Sequence, residues 1–184
     1  MEKIFSASRL QSLLLVIDIQ SKLSPVMAQF AQIKRVTEQL ASAAKLYNIP
    51  LLVTEQYKQG LGSTDETLKA VLNGATYFDK THFSAFKENG FKQLIAGYRK
   101  PQIIVVGMEA HVCVLQTCLD LLANDYSVFV IADGICSRNE IHRDIALNQL
   151  HKAGAVITSA ESIIFQWAEV ANTATFKKIL NIVK

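Results

Sequence analysis

Several things are scarce in this sequence, and each scarcity excludes something. Only three of the 184 residues are cysteine. With no C-x-x-C pair among them, neither a disulfide framework nor a structural zinc site is expected. The formal charge of +3 is mild and spread along the chain. Without a block of Lys and Arg there is no surface for tracking phosphates, so nucleic acid is not an expected partner. No apolar run approaches a membrane span, and the opening "MEKIFSASRL" has no apolar core of signal-peptide length. A reduced, cytoplasmic protein without membrane contact is the expectation. The stretch "GLGST" is not a G-x-G-x-x-G at a strand-to-helix turn, so the phosphate-cradle signal is missing too. Repeats, low-complexity tracts and Pro/Gly-rich linkers are also missing. Residues 1–184 therefore read as a single domain, long enough to bury a substantial core.

What is present is an alternation of short apolar runs with longer helical patterns. "LLLVID" (Leu13 to Asp18) is continuous in apolar residues, as a strand buried on both faces should be. Ser24-Pro25 reads as an N-cap followed by proline in the first turn. Val26, Phe30, Ile33, Val36, Leu40, Ala44 and Tyr47 then recur at steps of three and four, one stripe of a helix that ends before "NIP". "LLVTE", "ATYFDK", "PQIIVVG", "YSVFVIAD" and "GAVITS" supply five more strands. Capping boxes are expected at Ser63 with Glu66, Ser137 with Glu140 and Thr158 with Glu161, and a helix C-cap at Gly154. The fold class is α/β: a three-layer, doubly wound, six-stranded parallel sheet with helices on both faces.

Such sheets place their sites at the carboxyl ends of the strands. Asp18, Glu55, Lys80, Gly107 and Asp133 end successive strands on this reading, and Cys113 lies just beyond the fourth, where a helix should begin. A thiol at a helix N-terminus feels the positive end of the dipole, which favours thiolate, although free cysteines are more often small buried hydrophobes. Cys118 and Cys136 are given the bland role, one inside a helix and the other in a loop. Asp18 could take a proton from a thiol, and Lys80 could hold the carboxylate while stabilising the thiolate. Gln20 and Gln56 sit beside strand ends, where they could orient a substrate. Phe83 and Phe86 could form an apolar wall, although capping or packing explains these four equally well.

"LLLVIDIQ", "FDKTHFSAF" and above all "VVGMEAHVCVLQTCLDLL" resemble the isochorismatase-like cysteine hydrolase superfamily. "TEQYKQGLGST" and the segment from "ADGICSRNEIHRDIALNQL" to "TSAESIIFQ" resemble its small isochorismatase-domain subgroup. The resemblance implies strand order 3-2-1-4-5-6 and a catalytic triad of Asp18, Lys80 and Cys113. It also implies a cis peptide at Met108-Glu109, with the N–H groups of Glu109 and Cys113 forming an oxyanion hole. Nicotinamidases of the superfamily carry an Asp-x-His metal motif after the second strand. "TEQYKQGLGST" has no histidine, so no metal and no cofactor are expected. Ala110 also departs from the threonine of many members. The cysteine implies acyl transfer, and hence a hydrolase cleaving a C–N bond of a small amide or carbamoyl substrate through a Cys113 thioester. The alternative is an interaction or regulatory protein on a hydrolase scaffold with little turnover. The superfamily's habit implies a homo-oligomer.

Overall fold

The computed structural model describes residues 5–184. Its six strands are β1 (Ser12–Ile17), β2 (Leu51–Gln56), β3 (Thr76–Lys80), β4 (Gln102–Met108), β5 (Ser127–Cys136) and β6 (Val156–Thr158). They form one sheet in the order β3-β2-β1-β4-β5-β6, and every pairing is parallel. The helices are α1 (Phe30–Leu46), α2 (Lys58–Leu61), α3 (Glu66–Val71), α4 (Phe91–Gly97), α5 (Leu115–Leu122), α6 (Glu140–Ala153), α7 (Ala160–Ala168) and α8 (Ala174–Val183).

The period of two along β1 explains the layers. Leu14 and Val16 point to one face, where they join Ile33, Val36 and Leu40 of α1, Ile163 and Trp167 of α7, and Ile179 of α8. Leu13, Leu15 and Ile17 point to the other, against Phe91 and Ile95 of α4, Cys118 and Leu121 of α5, and Leu150 of α6. Because β1 has a strand on each side and helices on both faces, all six of its residues are buried. Each such leucine or isoleucine contributes roughly 1.5–3 kcal/mol of transfer free energy.

The carboxyl end of the central strands is drawn together at Gly107. Its φ is +136°, and a Cβ there would lie 2.1 Å from the Ile17 carbonyl oxygen. Only glycine lets β4 approach β1 this closely just before the chain turns toward Cys113.

Several local expectations shift. Val26 does not open α1: Ser24–Val26 is a separate 3-10 turn, and Met27 takes an extended backbone conformation before the helix starts. Val26 is consequently exposed, while Ile33, Val36, Leu40 and Ala44 of the same stripe are buried. The caps move to the residue immediately preceding each helix. Asp65 caps α3 by accepting from the Thr67 and Leu68 N–H groups, Asn139 caps α6, and Ser159 caps α7. Ser137 instead hydrogen-bonds the His111 ring at 2.9 Å. Gly154 does end α6, in the left-handed conformation. β5 runs past Asp133 to Cys136 after a register shift opposite β4, so Cys136 lies in a strand rather than a loop. Asp133 accepts from the Ala160 N–H at the start of α7.

Candidate active site

Three consecutive neighbours in the sheet deliver the polar groups. Asp18 directly follows β1 and turns out of the strand with a φ of +53°. Its two carboxylate oxygens part company: Oδ1 accepts from Thr54 Oγ1 at 2.7 Å, and Oδ2 accepts from Lys80 Nζ at 2.7 Å. Thr54 comes from β2, whose register places it opposite Ile17, one residue before Asp18. Lys80 is the last residue of β3, opposite Gln56. Both side chains of the Asp18–Lys80 pair are fully buried. Ionised groups in such a place must be paired and hydrogen-bonded, because their desolvation is otherwise uncompensated.

The ammonium of Lys80 is crowded. Besides Asp18 it faces Gln56 Oε1 at 2.6 Å, the Phe83 carbonyl at 3.3 Å and the His82 carbonyl at 3.4 Å. Four oxygens thus compete for three N–H donors. Glu88 holds the loop that presents the two carbonyls, accepting from the Thr81 and His82 N–H groups and from the His82 ring. Those hydrogen bonds stabilise its charged form and lower its pKa to about 2.

Cys113 lies in a π-helical turn, Ala110–Val114, that leads into α5. The Met108-Glu109 peptide before the turn is cis. The thiol is buried, with Sγ 4.0 Å from Gln56 Oε1. Its pKa is pushed up to about 12, first by burial and then by the negative charge of Asp18, while Lys80 pulls the other way. Burial and Asp18 thus act against the thiolate that a helix start would favour. Among the described residues the Glu109 N–H meets no acceptor. The Glu109 carboxylate turns away to accept from the Arg138 N–H and Nε.

The remaining candidates divide. Gln56 joins the cluster through Oε1, and its Nε2 donates to the Thr81 carbonyl at 2.7 Å. Gln20 faces the main chain: Nε2 donates to the Gln56 and Gly62 carbonyls, and Oε1 accepts from the Gln56 N–H. With both amide donors engaged, Gln20 anchors a loop rather than presenting them to a substrate. Phe83 is exposed beside the Lys80 cage, whereas Phe86 is buried among Phe91 and Tyr126 and packs the core. Glu55 is spent on the Thr64 N–H and hydroxyl and on Lys58. Thr54 was missed by the sequence reading. Its only signal was a hydroxyl inside an otherwise buried strand, which becomes informative once the parallel register aligns it with Asp18.

The segment after β2, where nicotinamidases carry a metal motif, here holds Tyr57, Lys58 and Gln59. Among the described residues no group of three or more His, Cys, Asp or Glu could hold a metal ion. The side chains of this segment do not fit such a site.

A six-stranded parallel sheet with helices on both faces and a charged cluster at its carboxyl edge defines a doubly wound α/β fold with a site at the strand ends, and comparison with known proteins narrows the class. The model of the isochorismatase domain matches residues 12–162. The secreted isochorismatase effector Isc1 of Phytophthora sojae is 38% identical over 177 residues, covering 94% of this chain and 84% of that protein. The structure of MAR1 ribonuclease from Caenorhabditis elegans superposes with a TM-score of 0.90 at 35% identity, covering 97% of this chain and 92% of that one. The YcaC gene product of Escherichia coli, described as an octameric hydrolase of unknown specificity, shares the fold with a TM-score of 0.91 at 22% identity, covering 99% and 92%. The chain belongs to the isochorismatase family and has that family's hydrolase fold.

Proposed function

We propose that this protein is a metal-independent cysteine hydrolase that cleaves a C–N bond of a small amide or carbamoyl compound. The observation that carries this reading is the buried Asp18–Lys80 pair beside the Cys113 thiol. A thiol with a pKa of about 12 has almost no free thiolate at neutral pH, so attack requires a base at hand. Asp18 takes the S–H proton as sulfur bonds to the carbonyl carbon. The N–H groups of Glu109 and Cys113 receive the oxyanion. Asp18 then gives its proton to the leaving nitrogen, the C–N bond breaks, and a thioester remains. Water, deprotonated by Asp18, attacks that thioester, the C–S bond breaks, and the proton returns to sulfur. Lys80 stays charged throughout and holds the carboxylate in place. The exposed Phe83 ring offers an apolar wall to the substrate.

In this reading residues 1–184 form one hydrolase domain that needs no cofactor, works in a reducing cytoplasm and assembles as a homo-oligomer. The three free thiols and the octamer described for the E. coli protein support the last two points. Among the described residues no helix is long and apolar enough to cross a membrane. The second reading, an interaction or regulatory protein with little turnover, is favoured by one observation, the burial of the Cys113 thiol, which opposes its ionisation.

The test is intact-protein mass spectrometry with a panel of small amides and carbamoyl compounds, together with an assay of released amine. An acyl adduct on Cys113 that decays as amine accumulates is the expected result. Neither adduct nor amine from any compound would leave the second reading. An RNA arm reads out the activity that the C. elegans protein's name states for that protein.

A further inference from the structure

Gln56 does something that a substrate-binding glutamine would not. Its main chain is clamped by the side chain of Gln20, whose Oε1 accepts from the Gln56 N–H at 2.8 Å while its Nε2 donates to the Gln56 carbonyl at 3.0 Å. The same Nε2 reaches the Gly62 carbonyl at 2.6 Å, so the clamp is tied to the loop after α2. The Gln56 side chain is fixed in turn. Its Nε2 donates to the Thr81 carbonyl, which leaves only Oε1 to face Lys80 Nζ at 2.6 Å. The opposite amide orientation would set N–H donors against an ammonium, so the polarity is decided by Lys80 itself. Oε1 is also the atom that faces the Cys113 sulfur, at 4.0 Å.

We propose that Gln56, clamped by Gln20, is a positioning residue that directs the Lys80 hydrogens to oxygen and thereby keeps Cys113 a neutral thiol at rest. The inference rests on reading Cys113 as the reactive thiol. Sulfur competes with four oxygens for three N–H donors, and the nearest competitor is the Gln56 oxygen. That oxygen also presents partial negative charge to the sulfur, which suits S–H and opposes S⁻. The bracket leaves Lys80 to neutralise Asp18 and leaves proton removal to Asp18 during attack.

The opposing signs of two substitutions test this. Gln56→Leu removes the nearest of the four oxygens, so that sulfur competes for the three Lys80 N–H donors only with Asp18 and with the two long carbonyl contacts of His82 and Phe83. Iodoacetamide should then label Cys113 faster at pH 8, by about threefold or more. Gln56→Glu keeps an oxygen on Lys80 and adds a negative charge beside sulfur. A rise of one pKa unit is a tenfold fall in thiolate, so labelling should slow by about tenfold. Peptide mass spectrometry assigns the label to Cys113, and circular dichroism confirms that each variant is folded. Gln56→Met replaces Gln56→Leu if the latter fails to fold. A glutamine that merely supports the loop would loosen the site in both variants, and both rates would rise. Rates that move with the same sign, or not at all, overturn the proposal. Amide turnover is measured on the same samples. Its absence in the parent protein, with the opposed labelling signs intact, would sink the hydrolase reading and leave the bracket standing. Cys113 that resists label in all three proteins overturns both.

Discussion

Cys113 and Cys118 stand five residues apart, one in the π-helical turn and the other in α5, and both face the same apolar cluster. Burial pushes both thiols up, and for Cys118 burial is the whole cause. Cys113 differs in having Asp18, Lys80 and Gln56 around it. Cys136, at the end of β5, is also raised to about 12, by burial and then by the Glu109 charge. The lesson is that the height of the pKa does not separate the functional thiol from the structural ones. What separates them is a neighbour able to accept the proton when sulfur attacks.

Asp18→Asn breaks that distinction most severely. Turnover should fall below detection because the proton acceptor is gone, as an amine-release assay would read. Alkylation of Cys113 should nevertheless become faster, since the charge opposing thiolate is removed. Lys80 would be left buried without a counter-ion, and urea denaturation should show a loss of about 3–5 kcal/mol. Unchanged turnover in this variant would end the proposed mechanism.

In the parent protein a small alkylating amide should modify Cys113 before Cys118 or Cys136. Its rate should rise about tenfold per pH unit from pH 7 to 10, with no plateau below a pKa of about 12. Equal labelling of all three thiols would erase the contrast.

A smaller effect is expected at Glu88, whose carboxylate holds the loop carrying the His82 and Phe83 carbonyls. Its folded pKa of about 2 lies below the ordinary 4.5. Its contribution to stability is therefore complete above about pH 4.5 and fades as pH falls toward 2. Glu88→Gln should lower the Tm at pH 7 and narrow the difference in Tm between pH 7 and pH 3. A variant with the parent's full acid sensitivity would show that other carboxylates dominate.

The smallest effect belongs to Cys118→Ala. It should cost roughly 1 kcal/mol of packing and leave the labelling rate of Cys113 unchanged. A change in that rate would mean that the two thiols are coupled.

The sheet was legible in the sequence because central parallel strands such as β1 and β4, buried on both faces, appear as near-continuous apolar runs, and shorter strand-like runs for the edge strands β3 and β6 stood between helical patterns. Their order, like the triad, came from the resemblance rather than from the pattern. Asp18 could be found because it directly follows an apolar run, and Lys80 because it ends a strand-like run, both at the edge where such folds gather their sites. The caps were displaced by one or two residues at Asp65, Asn139 and Ser159, since several oxygen-bearing side chains compete at each helix start and only backbone geometry selects one. Thr54 and the amide of Gln56 were beyond reach for a different reason. Their partners lie 36 and 24 residues away, and hydrogen-bond direction is not written in spacing. The protonation state of Cys113 depended on burial depth, which a helix-start signal does not carry.

The order β3-β2-β1-β4 puts Asp18 at the middle of a site whose other members arrive late. Lys80 is 62 residues from Asp18 along the chain, and Cys113 is 57 from Gln56. Contacts so remote in sequence form only after the entropy of closing long loops has been met. Until β1 is seated between β2 and β4, Cys113 remains an ordinary thiol with a pKa of about 8.5, far more nucleophilic at neutral pH than the buried one. Folding here shields the sulfur, so the nascent or unfolded chain is the form most exposed to oxidants and alkylating agents. The fall in the rate at which a short labelling pulse modifies Cys113 is therefore a clock for assembly of the central sheet.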